Sequence, residues 1–249
     1  MYVSINNQNI YFQKLGKGPD LIMLHGWGND VSSFWGISQI LKENFTIYLI
    51  DLPGFGRSDP PKTAFNIVDY ANIIKGFIES QNLKKPDLLG HSLGGRTAIK
   101  LASKNPDLLG KLILEASAGI KPKRDLYKTL IYPLAKLAKF IPNIFSIKEK
   151  LRYIFYKSLE SDYLKAGEMK QTLANILEED LTEDLSKIKT ETLLIWGEKD
   201  PTKEASLKNG KKMYQLIKNC RIEVLDNVGH FPHLEQPEKF VQLIKDFCL

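Results

Sequence analysis

Apolar positions along the chain follow two rhythms. Short runs at Leu21–Leu24, Thr46–Ile50, Pro86–Leu89, Lys111–Ala116 and Thr192–Trp196 have the length and flanking breakers of buried strands. Between them apolar residues return at helical spacing, at 67, 70, 71, 74, 77 and 78 and again at 98, 99, 101 and 102. Strands that are apolar throughout, alternating with helices, predict an α/β fold with a mostly parallel, doubly wound sheet covered on both faces. Ahead of them, residues 3–5 and 10–13 alternate around Asn6-Asn7-Gln8-Asn9, which predicts an N-terminal antiparallel hairpin at the sheet edge. A helix over 203–217, a strand over 221–225 and a last helix from Pro237 complete the pattern.

From 119 to 189 the rhythm breaks. No strand-like run occurs there, and Pro122, Pro133 and Pro142 divide helical stretches with mixed basic and apolar faces. The expected organisation is one core domain made of 1–118 and 190–249, with 119–189 inserted as a helical cap; 249 residues suit that size. Charge sharpens this division. The net charge is +6, yet residues 121–157 hold ten bases, among them Lys136, Lys139 and Arg152, against Asp125 and Glu149 alone. Apolar residues such as Leu130, Leu134, Phe140, Phe145 and Phe155 run between those bases. They either pack the cap onto the sheet or line an apolar tunnel beneath a positive rim that attracts an acidic acyl carrier or an anionic surface.

Other classes are disfavoured. No apolar run reaches the roughly 18 residues of a membrane span. The start, Met1-Tyr2-Val3-Ser4-Ile5-Asn6-Asn7, lacks the basic and apolar segments of a signal peptide. Cys220 and Cys248 have no metal-ligand spacing; they could pair, but free thiols are the simpler reading. The expectation is a cytoplasmic protein without stable membrane insertion. Nucleic-acid motifs, metal clusters and phosphate-cradling loops are not seen, so no nucleic-acid partner, metal or cofactor is expected.

The candidate chemistry centres on Gly90-His91-Ser92-Leu93-Gly94, a serine between glycines where an apolar run gives way to a helix. This is the G-x-S-x-G pattern of a nucleophile held on a tight strand-to-helix turn. A serine hydroxyl needs a histidine to take its proton, and that histidine needs an acid to fix its tautomer. Asp200 and His230 each lie just past a strand, as Ser92 does, in the order Ser…Asp…His. His233 is a local rival of His230, but only His230 follows a glycine in the loop directly after its strand.

These segments, with His25-Gly26-Trp27-Gly28, Asp51-Leu52-Pro53-Gly54-Phe55-Gly56-Arg57-Ser58, Trp196-Gly197-Glu198-Lys199-Asp200 and Gly229-His230-Phe231-Pro232, resemble the α/β-hydrolase superfamily over essentially the whole chain. The resemblance implies Ser92 as nucleophile, His230 as base and then acid, Asp200 as its orienting partner, and the backbone N–H groups of Trp27 and Leu93 as oxyanion hole. Glu115 competes with Asp200, because some members place the acid one strand earlier. His25, Gly26, His91 and Phe231 are candidates for the substrate pocket, His25 also for holding its loop. Asp51 and Arg57 are expected to fix theirs by an ion pair or hydrogen bonds. A serine at the elbow, where dehalogenases and many epoxide hydrolases of the superfamily carry aspartate, points to acyl transfer to water. The expected substrate is a small-molecule carboxylic ester of small to medium acyl chain; C–C cleavage of a ring-cleavage diketone acid and thioester hydrolysis share the same triad. A non-catalytic binding module of the same fold is the alternative outside enzymes. The HGWG and DLPGFGRS motifs look like those of the esterases that demethylate pimeloyl-acyl-carrier-protein methyl ester, and the basic cap matches that family in charge.

Overall fold

The computed structural model describes residues 1–121 and 167–249. Each predicted strand is present there: β1 (Tyr2–Ile5), β2 (Gln8–Gly16), β3 (Asp20–Leu24), β4 (Thr46–Ile50), β5 (Asp87–His91), β6 (Lys111–Glu115), β7 (Glu191–Gly197) and β8 (Cys220–Leu225). They form one sheet in the order β1-β2-β4-β3-β5-β6-β7-β8. Pairing from β4 onward is parallel, and β1 and β2 supply the antiparallel edge. The hairpin is tighter than its sequence suggests. Ile5 faces Gln8, so Asn6 and Asn7 alone make the turn, with φ of 50° and 61°. Asparagine tolerates this left-handed backbone, and β2 therefore starts two residues earlier than expected.

Among the described residues the α-helices are α1 (Trp35–Leu41), α2 (Ile67–Ser80), α3 (Leu93–Lys104), α4 (Lys170–Glu178), α5 (Thr182–Lys187), α6 (Leu207–Leu216), α7 (Pro232–Glu235) and α8 (Pro237–Cys248). Alternation along each strand divides the core into two layers. Ile22, Leu24, Tyr48, Ile50, Leu88, Leu112 and Leu114 pack against α2 and α3. Leu21, Met23, Ile47, Leu49, Leu89, Ile113 and Ile195 pack against α1 and α8. Two helix boundaries differ from the periodicity. Trp196 Nε1 donates to the Ala205 carbonyl at 2.6 Å, and that stretch stays outside α6, which starts at Leu207. Gln236 sits at φ −138° ahead of Pro237, which separates α7 from α8, as expected for a residue preceding proline.

Of the predicted insertion, residues 119–121 and 167–189 are described, the latter with a 3-10 turn over Gly167–Met169 followed by α4 and α5; its prolines, its apolar set and all its bases except Lys121 up to residue 157 lie outside the described residues. The described end is moored to α3. Arg96, 3% exposed, donates through Nη2 to the carbonyls of Ile176 and Glu179, each at 2.5 Å. Lys100 bridges Glu179 at 3.0 Å and Asp184 at 2.7 Å. Burial lowers Arg96 to about 10, so it stays charged at neutral pH. Replacing Arg96 with Met leaves two buried carbonyls without donors. A loss of about 3 kcal/mol is expected, read as a lower urea midpoint with an unchanged slope.

Candidate active site

β5 ends at His91 and α3 begins at Leu93, so the reversal falls on Ser92, at φ 51° and ψ −105°. A non-glycine residue held there stores backbone strain, which persists only where its surroundings enforce it. Those surroundings admit no side chain two residues to either side of Ser92. A Cβ at Gly94 would lie 2.1 Å from the Leu24 carbonyl oxygen, and one at Gly90 would lie 2.4 Å from that of Gly94. Ser92 donates its amide to the Glu115 carbonyl at 3.2 Å, and its side chain keeps partial exposure at the carboxyl end of the sheet. Leu93 opens α3, so its N–H is one of the helix's unsatisfied first-turn donors.

Asp200 follows β7 and His230 follows β8. The His230 Nδ1–H donates to Asp200 Oδ2 at 2.7 Å, which leaves Nε2 as the free nitrogen. The Asp200 side chain is fully buried and its Oδ1 accepts the Thr202 amide at 2.8 Å, so the carboxylate is fixed; His230 is 17% exposed. Glu235 secures the loop by accepting the amides of Gly229 and Phe231 at 2.8 and 3.1 Å.

Both rivals are accounted for in a second pair. Glu115 Oε1 accepts the His233 Nδ1–H at 2.7 Å and the His233 amide at 2.9 Å, with both side chains buried. Glu115 therefore serves His233 and Asp200 serves His230. Burial alone would raise Glu115, but the charge and hydrogen bonds of His233, with His91 nearby, hold it below the usual carboxylate range.

His91 is buried, being 1% exposed. Its ring packs 4.8 Å from that of His230 and 5.1 Å from that of Phe231, and its Nε2–H donates to the His230 carbonyl at 2.9 Å. Ser92 is thus covalently next to a side chain that touches His230. Burial pushes His91 down to about 4, so it is neutral at physiological pH. An unfolded chain takes up this proton near pH 6.5 and the native one resists until about 4. Stability is thus lost as pH falls through that window, by on the order of 3 kcal/mol. Urea melts across pH 4–7 should show a flatter profile for His91→Gln than for the wild type.

The loop after β3 faces the elbow. His25 is 1% exposed, donates through Nδ1 to the Gly26 carbonyl at 2.7 Å, and accepts the Leu52 amide at Nε2 at 3.0 Å. With both nitrogens committed, it holds the loop rather than lining a pocket. Gly94 donates to the His25 carbonyl at 3.1 Å, tying the loop to α3. A Cβ at Gly26 would come within 2.8 Å of His91 Nδ1 and 3.3 Å of Ser92 Cβ, so glycine permits this approach. Trp27 follows, partly buried, its ring edge-on to Phe55 at 4.9 Å. Asp51 acts on backbone: Oδ1 accepts from Val31 N at 2.7 Å and Oδ2 from Arg57 N at 2.8 Å. The Arg57 guanidinium instead donates to the Tyr11 hydroxyl at 3.0 Å.

Sequence reasoning missed three residues here. Ser33 meets His233 Nε2 at 3.1 Å, Glu235 holds the histidine loop, and the Met169 methyl sits 2.4 Å from where a Gly54 Cβ would be. Glu235, six residues beyond Gly229, had a local signal; the other two depend on segments far apart in sequence.

The alpha/beta hydrolase family pattern matches residues 21–243. The pimeloyl-[acyl-carrier protein] methyl ester esterase of Nitrosospira multiformis is 31% identical over 270 residues, covering 96% of this chain and 98% of that protein. A 2-hydroxy-6-oxononadienedioate/2-hydroxy-6-oxononatrienedioate hydrolase of Pseudomonas putida is 26% identical, covering 96% and 91%. Among solved structures, an esterase from Exiguobacterium antarcticum superposes with a TM-score of 0.78 at 26% identity, covering 99% of this chain and 98% of that one. With the pattern matching most of its length, the chain belongs to the alpha/beta hydrolase family.

Proposed function

We propose that this protein is a serine hydrolase that cleaves carboxylic esters of small to medium acyl chains through an acyl-enzyme. The observation that carries the reading is the strained Ser92 at the head of α3, whose chain neighbour His91 packs 4.8 Å ring to ring against a histidine with its Nδ1 committed to Asp200 at 2.7 Å. In this reading Ser92 Oγ attacks the ester carbonyl carbon while His230 Nε2 takes its proton. The oxygen that becomes negative is held by the N–H groups of Leu93 and Trp27. Collapse breaks the C–O bond, and the imidazolium returns the proton to the departing alcohol. Water then attacks the Ser92 ester, with His230 taking its proton, and the acid leaves as Ser92 regains a hydrogen. No metal or cofactor takes part.

Residues 119–189 act as a cap over this site, and its basic stretch can receive an acidic acyl carrier. The net charge of +8 across 121–157 supports this, as does the similarity to an acyl-carrier-protein ester esterase. The second reading, hydrolysis of a C–C bond in a vinylogous diketone acid, is favoured by the similarity to the Pseudomonas putida hydrolase.

Initial rates on p-nitrophenyl acetate, butyrate and octanoate, on a vinylogous diketone acid and on an acyl-carrier methyl ester separate these. Faster turnover of the short p-nitrophenyl esters than of the diketone acid is expected. The reverse order would replace ester hydrolysis by C–C hydrolysis. If Lys136→Glu, Lys139→Glu and Arg152→Glu together left rates on the carrier ester and their salt dependence unchanged, the carrier role would be rejected.

A further inference from the structure

We propose that Glu115 and His233 are positioning residues for His230, forming a buried carboxylate–imidazole clamp that fixes the histidine loop against the nucleophile strand. The proposal rests on the triad reading above. Glu115 ends β6, opposite His91 of β5 in register. Its carbonyl accepts the Ser92 amide, while its side chain accepts two hydrogen bonds from His233, three residues beyond His230. One residue therefore holds the backbone of the nucleophile and the loop that carries its base.

The clamp extends further. His233 Nε2 meets Ser33 Oγ at 3.1 Å, in the short 3-10 turn Val31–Phe34 that follows the Trp27 loop. From the other side His91 holds the His230 carbonyl at 2.9 Å. The nucleophile strand, the histidine loop and the turn after the Trp27 loop are thus joined by polar contacts, of which those between Glu115 and His233 are buried. An ionised carboxylate with no exposure is costly to bury, and packing alone does not call for one. Its chemical advantage is two directed bonds from one oxygen onto one residue. A misplacement of the base by about 1 Å can cost about a hundredfold in rate, which is the scale on which such a clamp matters.

The charged and titratable groups around His230 are Asp200 on Nδ1, His91 beneath the ring, and Glu115 with His233 behind, while Glu235 takes the neighbouring amides. Position and charge can be separated by substitution. Glu115→Gln keeps the reach and an acceptor oxygen but removes the charge; Glu115→Asp keeps the charge and shortens the reach. His233→Asn keeps a donor where Nδ1 stood, and His233→Phe removes it.

The readout is the second-order rate of fluorophosphonate labelling of the full chain across pH 5–9. It is accompanied by the low-field proton NMR signal of the His230–Asp200 hydrogen bond. Glu115→Gln and His233→Asn are expected within about threefold of wild type with the signal kept. Glu115→Asp and His233→Phe should label at least about tenfold more slowly, with the pH midpoint unmoved and the signal lost or broadened. If His233→Phe fails to fold, the comparison of Glu115→Asp with Glu115→Gln decides alone. A fast Glu115→Asp, or a slow Glu115→Gln with a shifted midpoint, would overturn the clamp while the triad stood. Wild-type protein that takes no label would bring down the triad reading, and the clamp with it.

Discussion

Ser92→Ala is expected to lower kcat on p-nitrophenyl butyrate by about five orders of magnitude, with little change in KM. The methyl group occupies the same strained turn, so the elbow, the loop after β3 and the histidine loop keep their places, and the substrate still finds its amides. What disappears is the oxygen proposed to form the covalent ester. Residual turnover would then come from binding and from the N–H groups of Leu93 and Trp27 acting on direct attack by water. Thermal melts should show no loss of stability. Alanine removes a polar group from a position at φ 51° and leaves the backbone demand as it was. A folded Ser92→Ala protein that still hydrolysed the ester within tenfold of wild type would place the chemistry elsewhere.

The second large effect belongs to Asp200→Asn, for which a drop of about four orders of magnitude is expected at neutral pH. The wild-type carboxylate accepts the Nδ1–H and so keeps Nε2 free to accept a proton. A carboxamide can present its NH2 group to Nδ1, which favours the other tautomer and places a proton on Nε2. The base is then blocked without any change of shape. Loss of charge next to the imidazolium adds to this, because the Asp200 side chain is fully buried and no solvent replaces it. Asp200→Asn protein should therefore fold with near-wild-type stability and label slowly with a fluorophosphonate. Equal labelling rates in the two proteins would return the role of acid to Glu115.

How far the sequence could be read follows from where its constraints lie. The inner parallel strands are legible because they are apolar on both faces, as seen where Leu21 and Met23 enter one layer and Ile22 and Leu24 the other; the edge strand β8 instead alternates, with Arg221 and Glu223 exposed. The elbow was legible because its turn tolerates glycine alone at 90 and 94. α1 escaped notice, since seven residues with Ile37 and Leu41 as its buried apolar anchors give too little periodicity. The two-residue turn at Asn6–Asn7 was read as longer because the polar run Asn6–Asn9 extends into β2. Within the site, types and order named the residues, but not which acid meets which histidine. Glu115 and Asp200 each stand at or just past the end of a strand, and only the path of the histidine loop sorts them. The sequence offers His25 as a holder of its loop as well as a pocket candidate, and its two ring hydrogen bonds fit the first; His91, next to the nucleophile in the chain, reads as pocket wall. Their burial follows from the approach of the Gly26 loop to the elbow, which no local pattern encodes.

The cysteines illustrate a weaker signal that resolves simply. Both are free, and burial pushes the Cys220 thiol up to about 12, while burial and the neighbouring Asp87 push Cys248 up as well. Neither is disposed to act as a thiolate nucleophile. Among the described residues no helix is long and apolar enough to cross a membrane.

The most direct test is to mix the protein with a p-nitrophenyl ester, quench with acid within the first turnovers, digest, and locate the acyl group by mass spectrometry. The account predicts one acyl adduct on the peptide containing Ser92, absent from Ser92→Ala protein and accumulating less in Asp200→Asn. Release of p-nitrophenol with no adduct on that peptide, or with the acyl group on another residue, would contradict it.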